Sequence, residues 1–342
     1  MNYSAARAAF TRHDAPQGAS KSRLIALSAA LVVTSFASLL AALSLGSYPI
    51  SLAELIDTVV SPAPGPVHDI VWNLRAPRAF AAYACGALLA LAGVLLQVLL
   101  RNALADPYVL GVSGGASLGA LLAMTLGAGA GVMQGAAFAG AVGAIVIVFG
   151  LTYRGGDWNV YRLLLTGVVL SAGLSALISF ILVLAPSAQL KGMLFWLMGD
   201  LSQAISVAPA WIVLAALAAF AISASMRLDL LALGEFKART LGVAVGPLQL
   251  AVFAAAALAT VSAVSLGGAI GFIGLMAPHA IRLAGIAQHR VLLPLSVMLG
   301  GALLTIADTA ARTVWAPQQL PVGIFTAFLG VPAMLLLLSR QR

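Results

Sequence analysis

The side chains that could carry out chemistry are few and widely spaced. The 342-residue chain has one cysteine, Cys85, four histidines and ten acidic residues. A single cysteine excludes a disulfide within the chain and leaves no Cys-based metal cluster. His13, His68, His279 and His289 are too dispersed to suggest a metal site, and no H-E-x-x-H occurs. No G-x-x-x-x-G-K-[ST] loop is present, so a Walker-type nucleotide site is excluded. An intramembrane enzyme would need a convergent nucleophile and base, and the pattern supplies none.

Two glycine-rich stretches raise the question of a phosphate cradle. One is RNALADPYVLGVSGGASLGA, residues 101–120, where Gly111, Gly115 and Gly119 recur every fourth residue; the other is SLGGAIGFIG, residues 265–274. A dinucleotide fingerprint needs a strand before it and a helix after it in a soluble unit. Both stretches are flanked instead by long apolar runs. Four-residue spacing makes one small-residue face on a helix, which lets a second helix approach closely in a membrane. Gly111, Gly115 and Gly119 are therefore expected to be helix-packing residues, with Asn102 satisfying backbone at the preceding helix end.

The elements that must position these residues follow from composition. The chain is 62% hydrophobic and 8% charged, where a soluble domain carries roughly 25% charged residues. A membrane span needs about 20 apolar residues, and ten segments qualify: 24–45, 79–100, 108–127, 132–152, 163–185, 207–226, 247–266, 270–286, 291–313 and 321–339. Residues 1–23 read as a polar, disordered tail and 24–342 as a single transmembrane domain. The net charge of +8 is spread singly between the apolar runs and forms no patch for nucleic acid.

With both termini on one side, fourteen of the Lys and Arg residues fall with the termini and four, Arg75, Arg78, Lys191 and Arg312, fall opposite. Positive residues mark the cytoplasmic side, so both termini are expected there. Between spans six and seven lies LDLLALGEFKARTLGV, residues 228–243, with Leu231, Leu233, Phe236 and Leu241 on one side of a helical projection and Glu235, Lys237 and Arg239 around them. Gly234 and Gly242 predict two short helices with a bend, suited to docking in a partner's groove. The plain alternative is an amphipathic segment lying in the headgroups.

LALGEFKARTLGV, RNALADPYVLGVSGGASLGA, GAIGFIGLMAPHAIRLAGIAQHRVLLP and ADTAARTVWAPQQLPVGIFTAFLGVP together resemble the FecCD-type permeases of ABC importers. The resemblance implies an all-α fold of ten transmembrane helices, like the vitamin B12 importer permease. It further implies a homodimer in the bacterial inner membrane, two cytoplasmic ATP-binding subunits and a periplasmic substrate-binding protein. The chain itself would hold no cofactor or metal and would not be an enzyme. ATP and Mg would sit on the partner subunits, which fits the missing Walker loop.

Residue by residue, the resemblance makes 228–243 the coupling helices, with Leu233, Gly234, Glu235, Lys237, Arg239 and Leu241 at the ATPase. Arg75, Arg78 and Arg312 would meet acidic residues of the docked binding protein, unless they simply snorkel at the interface or Arg312 pairs with Asp308 one turn earlier. Asn102 and Leu104 would form one cytoplasmic gate, and Asn159, Val160 and Tyr161 another. Ala103 stands where the family usually has proline, and Val160 and Tyr161 replace small hydroxyl residues. The cargo would be a metal chelate, with haem expected ahead of a ferric siderophore or vitamin B12. The rival class is an ion-coupled secondary transporter of a small solute, which should carry buried ionisable residues in its spans. Asp308 is the one candidate.

Overall fold

The computed structural model describes residues 21–60, 63–153, 160–202, 204 and 206–339, and all regular structure among them is helical. The helices are α1 Lys21–Ser44, α2 Leu52–Val60, α3 Ala76–Leu99, α4 Val112–Thr125, α5 Ala130–Thr152, α6 Val160–Leu184 and α7 Ser187–Leu197. They continue as α8 Ala208–Ser223, α9 Ser225–Ala232, α10 Glu235–Thr240, α11 Val245–Gly267, α12 Ile273–Leu283, α13 His289–Thr313 and α14 Val322–Ser339. Ten of these occupy the ten expected spans, and the chain is an all-α transmembrane protein. Lys21, Ser22 and Arg23, assigned to the tail by sequence, form the first turn of α1; residues 1–20 lie outside the described residues.

Helix α3 is the hub. Every residue from Ala84 to Leu99 is buried, and α13, α11 and α12 all pack against it. A helix that is apolar all round must be enclosed or face lipid; α3 is enclosed because its glycines admit neighbouring backbones. A Cβ on Gly86 would lie 2.2 Å from the Gly300 carbonyl oxygen of α13. Helix α6 is just as apolar but keeps Val168, Val169, Phe180, Val183 and Leu184 on the outside, as a lipid solvent permits.

Two of the spans are half-length. α4 has 14 residues and α12 has 11, which is roughly 21 and 17 Å of helix against a hydrocarbon core of about 30 Å. Both begin beside the middle of α3: a Cβ on Gly274 would meet the Leu89 carbonyl at 2.8 Å and the Pro107 ring at 3.0 Å. Span three was expected to start at the surface near residue 108. Instead, residues 101–111 turn back into the protein, and at Pro107 the chain is already at mid-depth. Irregular backbone at that depth persists only where protein satisfies its polar groups. Tyr108 does this: its hydroxyl donates to the Ile270 carbonyl (2.9 Å) and accepts from the Ile270 N–H (2.9 Å).

Span six also departs from a straight rod. α8 ends at Ser223 and α9 leaves it at 63°, so the arm expected at 228–243 starts at Ser225.

Candidate functional site

The described residues gather no His, Cys, Asp and Glu cluster able to hold a metal. The chemistry on offer is recognition, and it is concentrated at the two ends of the bundle. One end, the α10 face, carries α9, α10 and the loop after α3. The other, the arginine face, carries the loop after α1, the start of α3 and the end of α13.

On the α10 face, Gly234 breaks the arm with φ 109°, a value L side chains rarely adopt, and α10 follows. Ala238 is buried and anchors α10, while Leu233, Phe236 and Leu241 are exposed at 59, 81 and 61% beside Lys237 and Arg239. Leu231 departs from the expected stripe: it is 1% exposed and belongs to the core. Glu235 turns back on the bundle. It accepts a hydrogen bond from Gln249 of α11 (3.1 Å) and pairs with Arg101 (3.5 Å) and, at its outer edge, with Arg239 (3.9 Å).

That Arg101 contact ties the arm to the loop singled out as one gate. α3 ends with Arg101 at φ 49°. The Asn102 N–H bonds the Gln97 carbonyl and the Arg101 N–H bonds the Val98 carbonyl, the paired closure that normally uses glycine at the left-handed position. The Asn102 side chain then accepts from the Leu104 N–H (2.9 Å), and the Ala105 N–H bonds the Asn102 carbonyl (3.1 Å). So Asn102 closes the helix end through its backbone N–H and holds the loop through its side chain, and it does so with Ala103 exposed in the turn. Leu104 is 44% and Tyr161 76% exposed. Asn159 lies outside the described residues, as does the side chain of Val160.

The glycines of the same stretch divide by role. Cβ atoms on Gly115 and Gly119 would lie 2.3 and 2.1 Å from the carbonyl oxygens of Gly140 and Ala136, so these two form the close face against α5. Gly111 precedes α4 with φ 74° and looks toward α6 instead. The sequence there also reads G-x-S-x-G, at 111–115 and again at 115–119. It lies in a helix with no strand before it, the wrong setting for a nucleophile elbow.

On the arginine face, the three expected docking cations are drawn inward. Arg75 is 6% exposed; its guanidinium donates to the carbonyls of Leu43 (2.7 Å), Ser44 (2.9 Å) and Tyr48. Arg78 grips Asp308 through Nε (3.1 Å) and Nη2 (2.9 Å) and donates to Gln319 (2.8 Å). Arg312, 8% exposed, pairs with Asp308 at 3.2 Å and donates to the Ala42 carbonyl (3.1 Å). They are thus struts joining α1, α3 and α13, not charges displayed on a surface. All three still line one open cleft of ≈ 420 Å³, with Tyr48, Asn73, Ser202 and Gln319. Among the described residues Asp308 is the one carboxylate paired with them, so the three arginines keep a positive excess.

Helix α7 buries Met193 and Trp196 in the core. The Gly199 and Met198 carbonyls accept from the N–H groups of Val322 and Gly323, which seats the start of α14.

The FecCD transport family matches residues 31–340. The chain belongs to this family. It is 41% identical over 278 residues to the cobalamin import system permease protein BtuC of Halobacterium salinarum, covering 80% of this chain and 74% of that one. Against the vitamin B12 import system permease protein BtuC of Klebsiella pneumoniae it is 40% identical, covering 80% and 83%. In three dimensions it matches a metal-chelate-type ABC transporter in an inward-facing conformation, with a TM-score of 0.77, 29% identity and coverage of 93% and 98%. This FecCD chain is an ABC importer permease and not a catalytic subunit.

Proposed function

We propose that the protein moves a metal chelate from periplasm to cytoplasm across a bacterial inner membrane, as a homodimer driven by two ATP-binding subunits that dock on α10. The observation that carries this reading is the α10 face. An exposed apolar trio ringed by Lys237 and Arg239 is what a partner's groove accepts, and Glu235 connects it within one side chain to the loop of Asn102 and Leu104. Nucleotide-driven movement of α10 would reach that loop directly, shifting the population between pathways open to either side. ATP and Mg belong to the partner subunits.

At the other face, the positive excess of the arginine cleft suits an acidic side chain of a periplasmic binding protein, which would fix its register. Both termini would then be cytoplasmic, as the distribution of Lys and Arg supports. Sequence favoured haem as cargo; relatives named for cobalamin and vitamin B12 at 40–41% identity support a corrinoid ahead of it. An ion-coupled mechanism finds less support, because Asp308, the buried carboxylate it would need, is held by two arginines.

The experiment is reconstitution of the permease in proteoliposomes with its ATPase and binding protein, offering cobalamin, haem and a ferric siderophore in turn. ATP-dependent uptake of cobalamin is expected. Uptake of haem alone would reverse the order of cargoes, and uptake by the permease without any ATPase would sink the whole reading.

A further inference from the structure

Asp229 and His289 lie 60 residues apart in sequence and meet on the α10 face. One carboxylate oxygen of Asp229, in the middle of α9, accepts from the His289 backbone N–H (2.9 Å) and from His289 Nδ1 (2.6 Å). The ring nitrogen must carry the proton there, since an ionised carboxylate only accepts. His289 is the first residue of α13 and is 4% exposed. The Gln288 side chain provides no cap for α13, so a residue of the arm closes the helix. This places a negative charge at the positive end of the helix dipole.

The other end of α13 is equally fastened. Asp308 and Arg312, in its last two turns, hold Arg78 of α3 and the Ala42 carbonyl of α1. Helix α13 therefore runs the full depth of the protein, attached to the arm by side chains at its first residue and to the arginine cleft by side chains at its last turns. Packed helices shift as units, because close-packed interiors do not deform continuously.

We propose that the Asp229–His289 contact is a positioning latch through which movement of the arm is transmitted along α13 to the arginine cleft, coupling the ATPase face to the binding-protein face. The inference rests on the reading above, in which the ATPase docks on α10. It assigns to Asp229 and His289 a positioning role that neither charge pattern nor motif suggested.

Spin labels test the latch in the intact assembly with its ATPase. One label is placed on the arm at Met226→Cys and one at the far end of α13 at Val314→Cys; both positions are exposed, and the native Cys85 is buried. Distances between the two copies of each label are measured without nucleotide and with ATP and vanadate. Both should shift in the otherwise native protein. Asp229→Ala removes both bonds, and the shift at Val314 should fall to less than about one third while the shift at Met226 and co-purification of the ATPase remain. His289→Gln removes only the ring contact and should give an intermediate loss, a gradation that general loosening of the fold would not produce. An undiminished shift at Val314 in both variants overturns the latch. No shift at either label in the native protein overturns the ATPase-docking reading instead.

Discussion

On the α10 face Lys237 and Arg239 stand in solvent around Leu233, Phe236 and Leu241, whereas on the arginine face Arg75, Arg78 and Arg312 are folded onto Asp308, Gln319 and backbone carbonyls. Both regions looked alike in sequence, as basic residues between apolar runs. The difference shows how the same residue type serves two ends. A partly buried guanidinium must have its donors satisfied inside the protein, so it stiffens the fold. An exposed one contributes little to stability and stays available to a partner. The arginine face is thus held rigidly by its own cations, whereas the α10 face carries its cations exposed.

Substitutions can break this comparison. The largest effect should come from Asp308→Ala, which strands Arg78 and Arg312 without a carboxylate. Removing one member of a buried ion network costs about 3–5 kcal/mol, read as a lower melting point of the purified protein in detergent. Replacing Asp308, Arg78 and Arg312 together by Leu and Met should recover much of that loss. A cost for Asp308→Ala below about 1 kcal/mol, the scale of exposed pairs, would erase the distinction between the two faces.

Next in size is Tyr108→Phe, which leaves the N–H and carbonyl of Ile270 without their shared hydroxyl. A buried unsatisfied group costs about 1–3 kcal/mol, and hydrogen exchange at Ile270 should rise with it. Protection there equal to the native protein would mean that the two half-helices do not depend on this contact.

Glu235→Gln should cost no more than about 1 kcal/mol, because its pairs with Arg101 and Arg239 are exposed enough to be screened. Its signature should be greater mobility of residues 101–104 by hydrogen exchange. The smallest stability effect, within about 0.5 kcal/mol, is expected for Phe236→Ala and Arg239→Ala. These should nonetheless weaken ATPase co-purification by about tenfold or more, as removal of an exposed anchor from an interface does. Unchanged co-purification in both would remove the reason for calling α10 a docking surface.

Much of this architecture was legible because lipid imposes a simple rule. Each apolar segment expected from run length became a helix, and the boundaries expected between 108–127 and 132–152 and between 247–266 and 270–286 fall at real breaks. The bend at Gly234 was legible for a local reason too, since a positive φ favours glycine. The half-length of α4 was not legible, because the span was expected to start at 108 and the stretch 107–111 that turns into the protein carries no charge. The shortness of α12 was legible in part, since 270–286 was already a short span, but its approach is as apolar as the helix and hides where the helix begins. Nor could Leu231 be told from Leu233, because a projection shows which residues share a face but not which neighbour covers them.

The sequence by itself determined that this is a ten-span membrane protein without a Walker-type loop, because apolar run length and motif occurrence are properties of the chain alone. Its family was likewise written in four ordered motifs. Only the tertiary structure decided where the charges go. Asp308 with Arg78, Asp229 with His289 and Tyr108 with Ile270 are separated by 230, 60 and 162 residues. Whether a polar group finds its partner at such a separation depends on how the helices pack, and no local pattern records it.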